Sequence, residues 1–344
     1  MKFRNRRLSA LAAVSLVAGL ALSACGGDDG DDNASDGGGS SSDTFVFLPK
    51  NLGNAYFDTS DNAGKAAIEG WGGTYQEVGP DKASPDAQVP FINTAAQQGV
   101  AALIVSANDK EAICDALNEA RDAGVKVVTF DSDVNPECRD LFINQATAEG
   151  IAKVQVDMIS EQIGDSGEVA ILSAAANATN QNAWIADMEK QFAADHPNIT
   201  LVDTVYGDDD DQTSFDKTAA LLQAHPDLKG IISPTTVGIA AAARYLSTSD
   251  AKGKVMLTGL GTPNQMREYV EDGTVKEFAL WNPGDLGTLA AFAAKALVDG
   301  DIKGDEGDTF TAGDLGEFTV DADGSVLLGE PYRFNADNIG DFDF

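Results

Sequence analysis

The residues able to do chemistry in this chain come in short clusters, each set just after an apolar run. Lys50, Asn54, Tyr56 and Phe57 follow residues 45–48. Asn108 and Asp109 follow residues 101–105, and Asp131, Ser132 and Asp133 follow residues 126–130. Asn144 and Gln145 follow the Phe142-Ile143 pair. Further along come Asn177, Asn180, Gln181 and Trp184, then Pro234, Thr235 and Thr236, then Leu260, and finally Trp281, Asn282 and Pro283. Amides and hydroxyls both donate and accept, so they satisfy the hydroxyls of a polyhydroxylated ring, while aromatic faces cover its C–H side. Taken singly, each of these residues reads as a cap or turn residue. Their recurrence at one place in a repeating pattern points to a ligand site.

The same inventory argues against catalysis. Lys50 and Asp131 could exchange protons, but there is no nucleophile elbow and no metal-ligating cluster. The only histidines, His196 and His225, each precede a proline in a helix-to-strand connection and read as surface loop residues. No enzyme activity, cofactor or metal is expected.

The apolar runs must position these clusters. Strands are predicted at 45–48, 74–78, 101–105, 126–130, 168–173, 199–206, 230–233 and 255–259. Helical patterns lie between them at 57–71, 85–98, 110–123, 182–195, 214–224, 238–246 and 262–272. Short apolar strands alternating with helices imply parallel sheets covered on both faces, here in two α/β lobes. In such sheets ligands bind outside the carboxyl ends of the strands, where the clusters fall. About 300 residues follow position 43, which also suits two cores better than one.

The N-terminal part reads differently. Lys2, Arg4, Arg6 and Arg7 precede an apolar stretch over 8–22 that is too short to span a bilayer and suits a secretory signal. Residues 26–43 are almost wholly Gly, Asp, Ser and Asn, the composition of a flexible tether. The chain carries a formal net charge of −32, and removal of 1–24, with its four basic residues, makes it more acidic still. Such a field repels nucleic acid and anionic lipid. Cys114 and Cys138, in an exported chain, read first as a disulfide, with two separate buried thiols as the alternative.

Two resemblances sharpen this picture. Leu22-Ser23-Ala24-Cys25 resembles the lipobox of bacterial lipoproteins, which implies acylation of Cys25 and two or three chains for stable anchoring. The folded part, from about 44 to 344, resembles the sugar-binding proteins of ABC transporters with the type I periplasmic-binding fold, the ribose-binding-like group. Its carriers are the segments around Leu48-Pro49-Lys50-Asn51, Ser106-Ala107-Asn108-Asp109, Thr129-Phe130-Asp131-Ser132-Asp133, Thr179-Asn180-Gln181, Ser233-Pro234-Thr235-Thr236 and Ala279-Leu280-Trp281-Asn282-Pro283. Rhamnose-binding and autoinducer-2-binding proteins are the most similar subfamilies. Asn180-Gln181 and Pro234-Thr235-Thr236 resemble the rhamnose pattern. Asn135-Pro136-Glu137-Cys138-Arg139 and Thr262-Pro263-Asn264-Gln265-Met266-Arg267 look more like the autoinducer-2 receptors.

The resemblance implies two doubly wound lobes joined by a three-crossover hinge, with crossings near 144, 282 and 312. The expected organisation is a signal peptide over 1–24 and a lipid-anchored tether over 25–43. One lobe would be formed by 44–144 with 282–312, the other by 145–281 with 313–344. Lys50, Asp131, Gln181 and Pro234 match ligand-contacting positions. Asn180, Thr236, Asn108 and Trp281 match lining positions, Phe57 and Trp184 would supply apolar faces, and Asn54 and Asn282 complete the candidate set. The implied protein is a monomeric lipoprotein on the extracytoplasmic face of the cell membrane. It would clamp a small sugar, L-rhamnose or a related deoxyhexose first, and pass it to a permease with its ATPase. Autoinducer-2 uptake, or ligand presentation to a membrane receptor kinase, are the alternatives. A DNA-binding regulator of the same fold would need a helical head where this chain has its signal segment.

Overall fold

The computed structural model describes residues 43–344; the expected signal segment, Cys25 and nearly all of the expected tether lie outside them. In chain order the first half contains β1 (Thr44–Leu48), α1 (Ala55–Gly70), β2 (Thr74–Glu77), α2 (Pro85–Gln98), β3 (Ala102–Val105), α3 (Cys114–Asp122), β4 (Lys126–Phe130) and β5 (Leu141–Asn144). There follow α4 (Ala148–Ile163), β6 (Gly167–Ser173), α5 (Thr179–Asp195), β7 (Ile199–Tyr206), α6 (Asp211–Ala224), β8 (Leu228–Ser233), α7 (Thr236–Ser247), β9 (Met256–Gly259), α8 (Pro263–Glu271) and β10 (Glu277–Leu280). The chain ends with α9 (Pro283–Asp299), β11 (Thr309–Thr311), β12 (Glu317–Thr319), β13 (Ser325–Leu327) and β14 (Tyr332–Asn335).

Two parallel sheets result. One has the order β13-β5-β4-β3-β1-β2, the other β7-β6-β8-β9. The second is extended by a bridge between Leu260 and Ala279 to β10, which pairs antiparallel with β14. Both faces of the first sheet are buried, and the period-2 alternation of strand side chains sorts its core into two layers. Phe45 and Phe47 of β1 pack in the layer shared with α1 and α9, whereas Val46 and Leu48 pack with Ile92, Ile113 and Leu117 on the other side. Helices α1 and α9 approach so closely that a Cβ on Gly287 would lie 1.9 Å from the carbonyl oxygen of Ser60, so only glycine fits there.

The chain passes between the sheets three times. Helix α4, after β5, packs against β8 and β9, and α9, after β10, returns to β3 and β4. The third passage corrects the expected division at 312. β13 pairs in parallel with β5 in the first sheet, and only β14 joins the second, so 313–344 is shared between the two. Three-residue strands such as β13 carry too little pattern to be located from sequence.

Helix α3 starts at Cys114 rather than near 110, because the Asp109 carboxylate accepts from the backbone N–H groups of Glu111 and Ala112 (2.8 and 2.9 Å) and holds a turn there. Cys114 and Cys138 form a disulfide that ties this helix start to the turn after β4. His196 and His225 end α5 and α6 and face Asp165 and Asp203. Closing a loop with a sequence separation of 24 residues restricts the unfolded chain by roughly 3–4 kcal/mol. A Cys114→Ser/Cys138→Ser variant should therefore lose about that much in urea unfolding, whereas two free thiols on the untreated native chain would contradict the bridge.

Candidate functional site

The carboxyl ends of the two sheets face one small cavity, at the place where open α/β sheets hold their ligands. Lys50 stands on the loop between β1 and α1. That loop is held from below: Gln88 Nε2 donates to the carbonyls of Pro49 and Ser106 (3.2 and 2.8 Å), Asn108 N donates to Gln88 Oε1, and Asn108 Nδ2 donates to the Lys50 carbonyl at 2.9 Å. Asn108 thus supports the site and does not line it, a correction to the expected lining set. Asn54 caps α1 by accepting from Tyr56 N–H at 3.1 Å.

Asp131 follows β4 with φ +61°, one of four non-glycine residues in the left-handed region among the described residues. Ser106 Oγ donates to its Oδ2 at 2.7 Å, and Gln145 Nε2 donates to its carbonyl at 3.1 Å. The Lys50 ammonium lies 3.6 Å from the same Oδ2, and both side chains are almost fully buried. Asn180, at the start of α5 on the other sheet, completes the junction. Its Oδ1 accepts from Lys50 Nζ at 3.0 Å, while its Nδ2 stands 3.4 and 3.5 Å from the carbonyl and Oδ1 of Asp131. Its neighbour Gln181 accepts from Ser173 Oγ (2.7 Å) and Ala174 N–H (2.8 Å) through Oε1, which leaves its amide hydrogens for the cavity.

The opposite wall is aromatic. Trp281, on the passage from β10 to α9, meets Tyr56 and Trp184 edge-on, each with ring centroids 6.1 Å away. Its indole N–H donates to the Tyr56 hydroxyl at 2.9 Å. Burial, and then the nearby charge of Asp131, push the Tyr56 phenol well above its ordinary range, so the hydroxyl stays protonated and can donate towards Asp131. Phe57, Trp184, Pro234 and Thr236 line the cavity. Asn282 does not: its Oδ1 accepts from Gly284 N–H at 2.9 Å and caps α9, a second correction. Tyr56, Thr235 and Leu260 are strand-end residues that also reach the lining, and Leu280 and Asp209 join them. Asp209 lay hidden in the run Asp208-Asp209-Asp210-Asp211, which reads as a solvated loop; its place just after β7 was the available signal.

Residues 45–302 match the model of a family described as periplasmic binding protein domain. The chain belongs to that family. A sugar ABC transporter protein of Actinomyces odontolyticus is 56% identical, with 88% of this chain and 97% of that one covered and a TM-score of 0.71. An ABC transporter solute-binding protein of Clostridium phytofermentas, solved with bound L-rhamnose, is 39% identical over 87% of this chain and 98% of that one, with a TM-score of 0.85. LsrB from Clostridium saccharobutylicum, in complex with AI-2, is 29% identical over 88% and 100%, with a TM-score of 0.82. This is a family of binding proteins, not of enzymes, and the two-sheet architecture is its type I fold.

Behind the cavity, α1 buries a second acid. Asp61 is 1% exposed; Ser60 Oγ donates to its Oδ1 at 2.8 Å, and its Oδ2 has no hydrogen-bond partner among the described residues. Burial, reinforced by the charges of Glu77 and Asp58, holds its carboxyl well above the ordinary carboxylate range. A raised folded-state value means the folded chain keeps a proton that the unfolded chain gives up above about pH 4, so this contribution to stability is full below that and falls as pH rises, by about 1.4 kcal/mol per unit until the raised value is passed. Asp61→Asn should therefore match the unaltered chain in urea unfolding at pH 4 and exceed it by at least about 1 kcal/mol at pH 7.5; equal stability at both pH values would show that Asp61 is not held protonated.

Proposed function

We propose that this chain is the extracytoplasmic solute-binding component of an ABC importer, anchored through Cys25, and that it clamps a small sugar between its two sheets. L-rhamnose or a related deoxyhexose is the favoured ligand. The observation that carries this reading is the junction of Lys50, Asp131 and Asn180, which joins donors and acceptors from both sheets across one small cavity whose far wall is Tyr56, Trp184 and Trp281. Such a site offers charge-assisted hydrogen bonds to ring hydroxyls on one side and apolar contact with the C–H face on the other. The L-rhamnose complex of the 39% identical protein supports the same ligand class.

In this reading the ligand first meets one sheet's loops. The other sheet then swings in about the three crossings, bringing Asn180 and Gln181 onto the hydroxyls and excluding water. The closed shape is what the permease engages. Lys50, Asn54, Phe57, Asp131, Asn180, Gln181, Trp184, Pro234, Thr236 and Trp281 form the proposed contact set. Autoinducer-2 is the second reading, favoured by the match to LsrB and by the segments around Pro136 and Pro263.

Titration calorimetry of the purified chain should give a micromolar or tighter Kd for L-rhamnose. Binding of autoinducer-2 with no heat from any deoxyhexose would move the assignment to the second reading. Asp131→Asn, which tolerates the left-handed backbone where alanine would be strained, should weaken sugar binding at least about tenfold and, because it removes the carboxylate beside buried Lys50, also lower the melting temperature of a chain that still folds. Undiminished affinity would remove Asp131 from the contact set.

A further inference from the structure

The four consecutive aspartates after β7 have different fates. Asp210 caps α6 by accepting from Thr213 N–H at 2.8 Å, Asp211 pairs with Arg244, and Asp208 is exposed. Asp209 alone reaches the cavity. Its Oδ1 accepts from Thr235 Oγ1 at 2.5 Å, the one hydrogen bond of its carboxyl group among the described residues. Asp208 (φ +55°) and Asp209 (φ +48°) are consecutive left-handed residues, a backbone that L side chains rarely adopt and that is retained where a side chain must be aimed.

The charge balance of the lining gives this carboxyl a meaning. The charged side chains on the cavity wall are Lys50, Asp131 and Asp209. The single ammonium is already shared between Asp131 and Asn180. A ring hydroxyl entering here finds two carboxyl groups ready to accept its hydrogen. A carboxylate or phosphate on the same ring would face both of them with no free cation in the lining to answer it, in a site only partly open to water.

We propose that Asp209 is a specificity-determining residue that, from the second sheet, reads hydroxyl hydrogens of an uncharged polyol and excludes anionic sugars such as uronic acids and sugar phosphates. This rests on the sugar-binding reading above and adds to it the charge class of the ligand. Burial raises the Asp209 carboxyl above its ordinary range, although Lys50 and the Thr235 hydroxyl pull it back down.

The test compares the unaltered full chain with Asp209→Asn and Asp209→Gly, both compatible with positive φ. Each is titrated by calorimetry with L-rhamnose (or autoinducer-2, whichever the unaltered chain binds) and with D-galacturonate. The unaltered chain should prefer the uncharged ligand by at least about a hundredfold. Asp209→Gly should weaken the uncharged ligand at least about tenfold, and Asp209→Asn should narrow the preference at least about tenfold, because an amide can donate to the uronate. General loosening of the site would weaken both ligands together and leave the ratio unmoved. A ratio within about twofold of the original in Asp209→Asn, or unchanged uncharged-ligand affinity in Asp209→Gly, overturns this inference alone. An unaltered chain that binds neither uncharged ligand overturns the sugar-binding reading, and this inference with it.

Discussion

A lysine ammonium removed from water must be matched by partners, and Lys50 is 4% exposed. Its partners come from both sheets: Asp131 beside it at the end of β4, and Asn180 across from it at the start of α5. Removing one member of a buried pair costs about 3–5 kcal/mol, so while Lys50 is shielded from water it needs Asp131 beside it and Asn180 across from it. Much of the surrounding structure serves that alignment. Gln88 and Asn108 fix the Lys50 loop, Ser106 and Gln145 fix Asp131, and the strained backbone at Asp131 aims its carboxylate.

The apolar and polar parts of the site depend on each other. Trp281 is 2% exposed and meets both Tyr56 and Trp184, so it packs between elements that follow different sheets. Its N–H finds the Tyr56 hydroxyl, which in turn can donate towards Asp131. The aromatic wall and the charged wall are therefore one hydrogen-bonded system, in which each buried polar group is satisfied by the next.

Much of this was legible in the sequence because parallel strands buried on both faces write themselves as apolar runs, and because ligands gather at their carboxyl ends. Lys50, Asp131, Asn180, Gln181 and Trp281 all stand close behind such runs. That rule gives a residue's place on the chain and not the direction of its side chain. Asn108 and Asn282 sit at strand ends like the others, yet one amide is spent on the Lys50 carbonyl and the other on capping α9. Asp209 failed in the opposite way: four aspartates in a row look solvated, and only the left-handed turn at 208–209 selects the one that points inward. The division of 313–344 was illegible because β13 is held in the first sheet by three residues of pairing with β5, too few to carry a period.

The three passages between the sheets have a mechanical consequence. A single strand joining two bodies would let them swing, twist and slide; three separate passages resist twisting and sliding and leave bending as the soft motion. They also make each half discontinuous along the chain, since the first sheet takes strands from before residue 145 and again from 325–327. Neither half can be excised as one uninterrupted segment, and a cut at any one crossing still leaves two covalent links holding the halves in register.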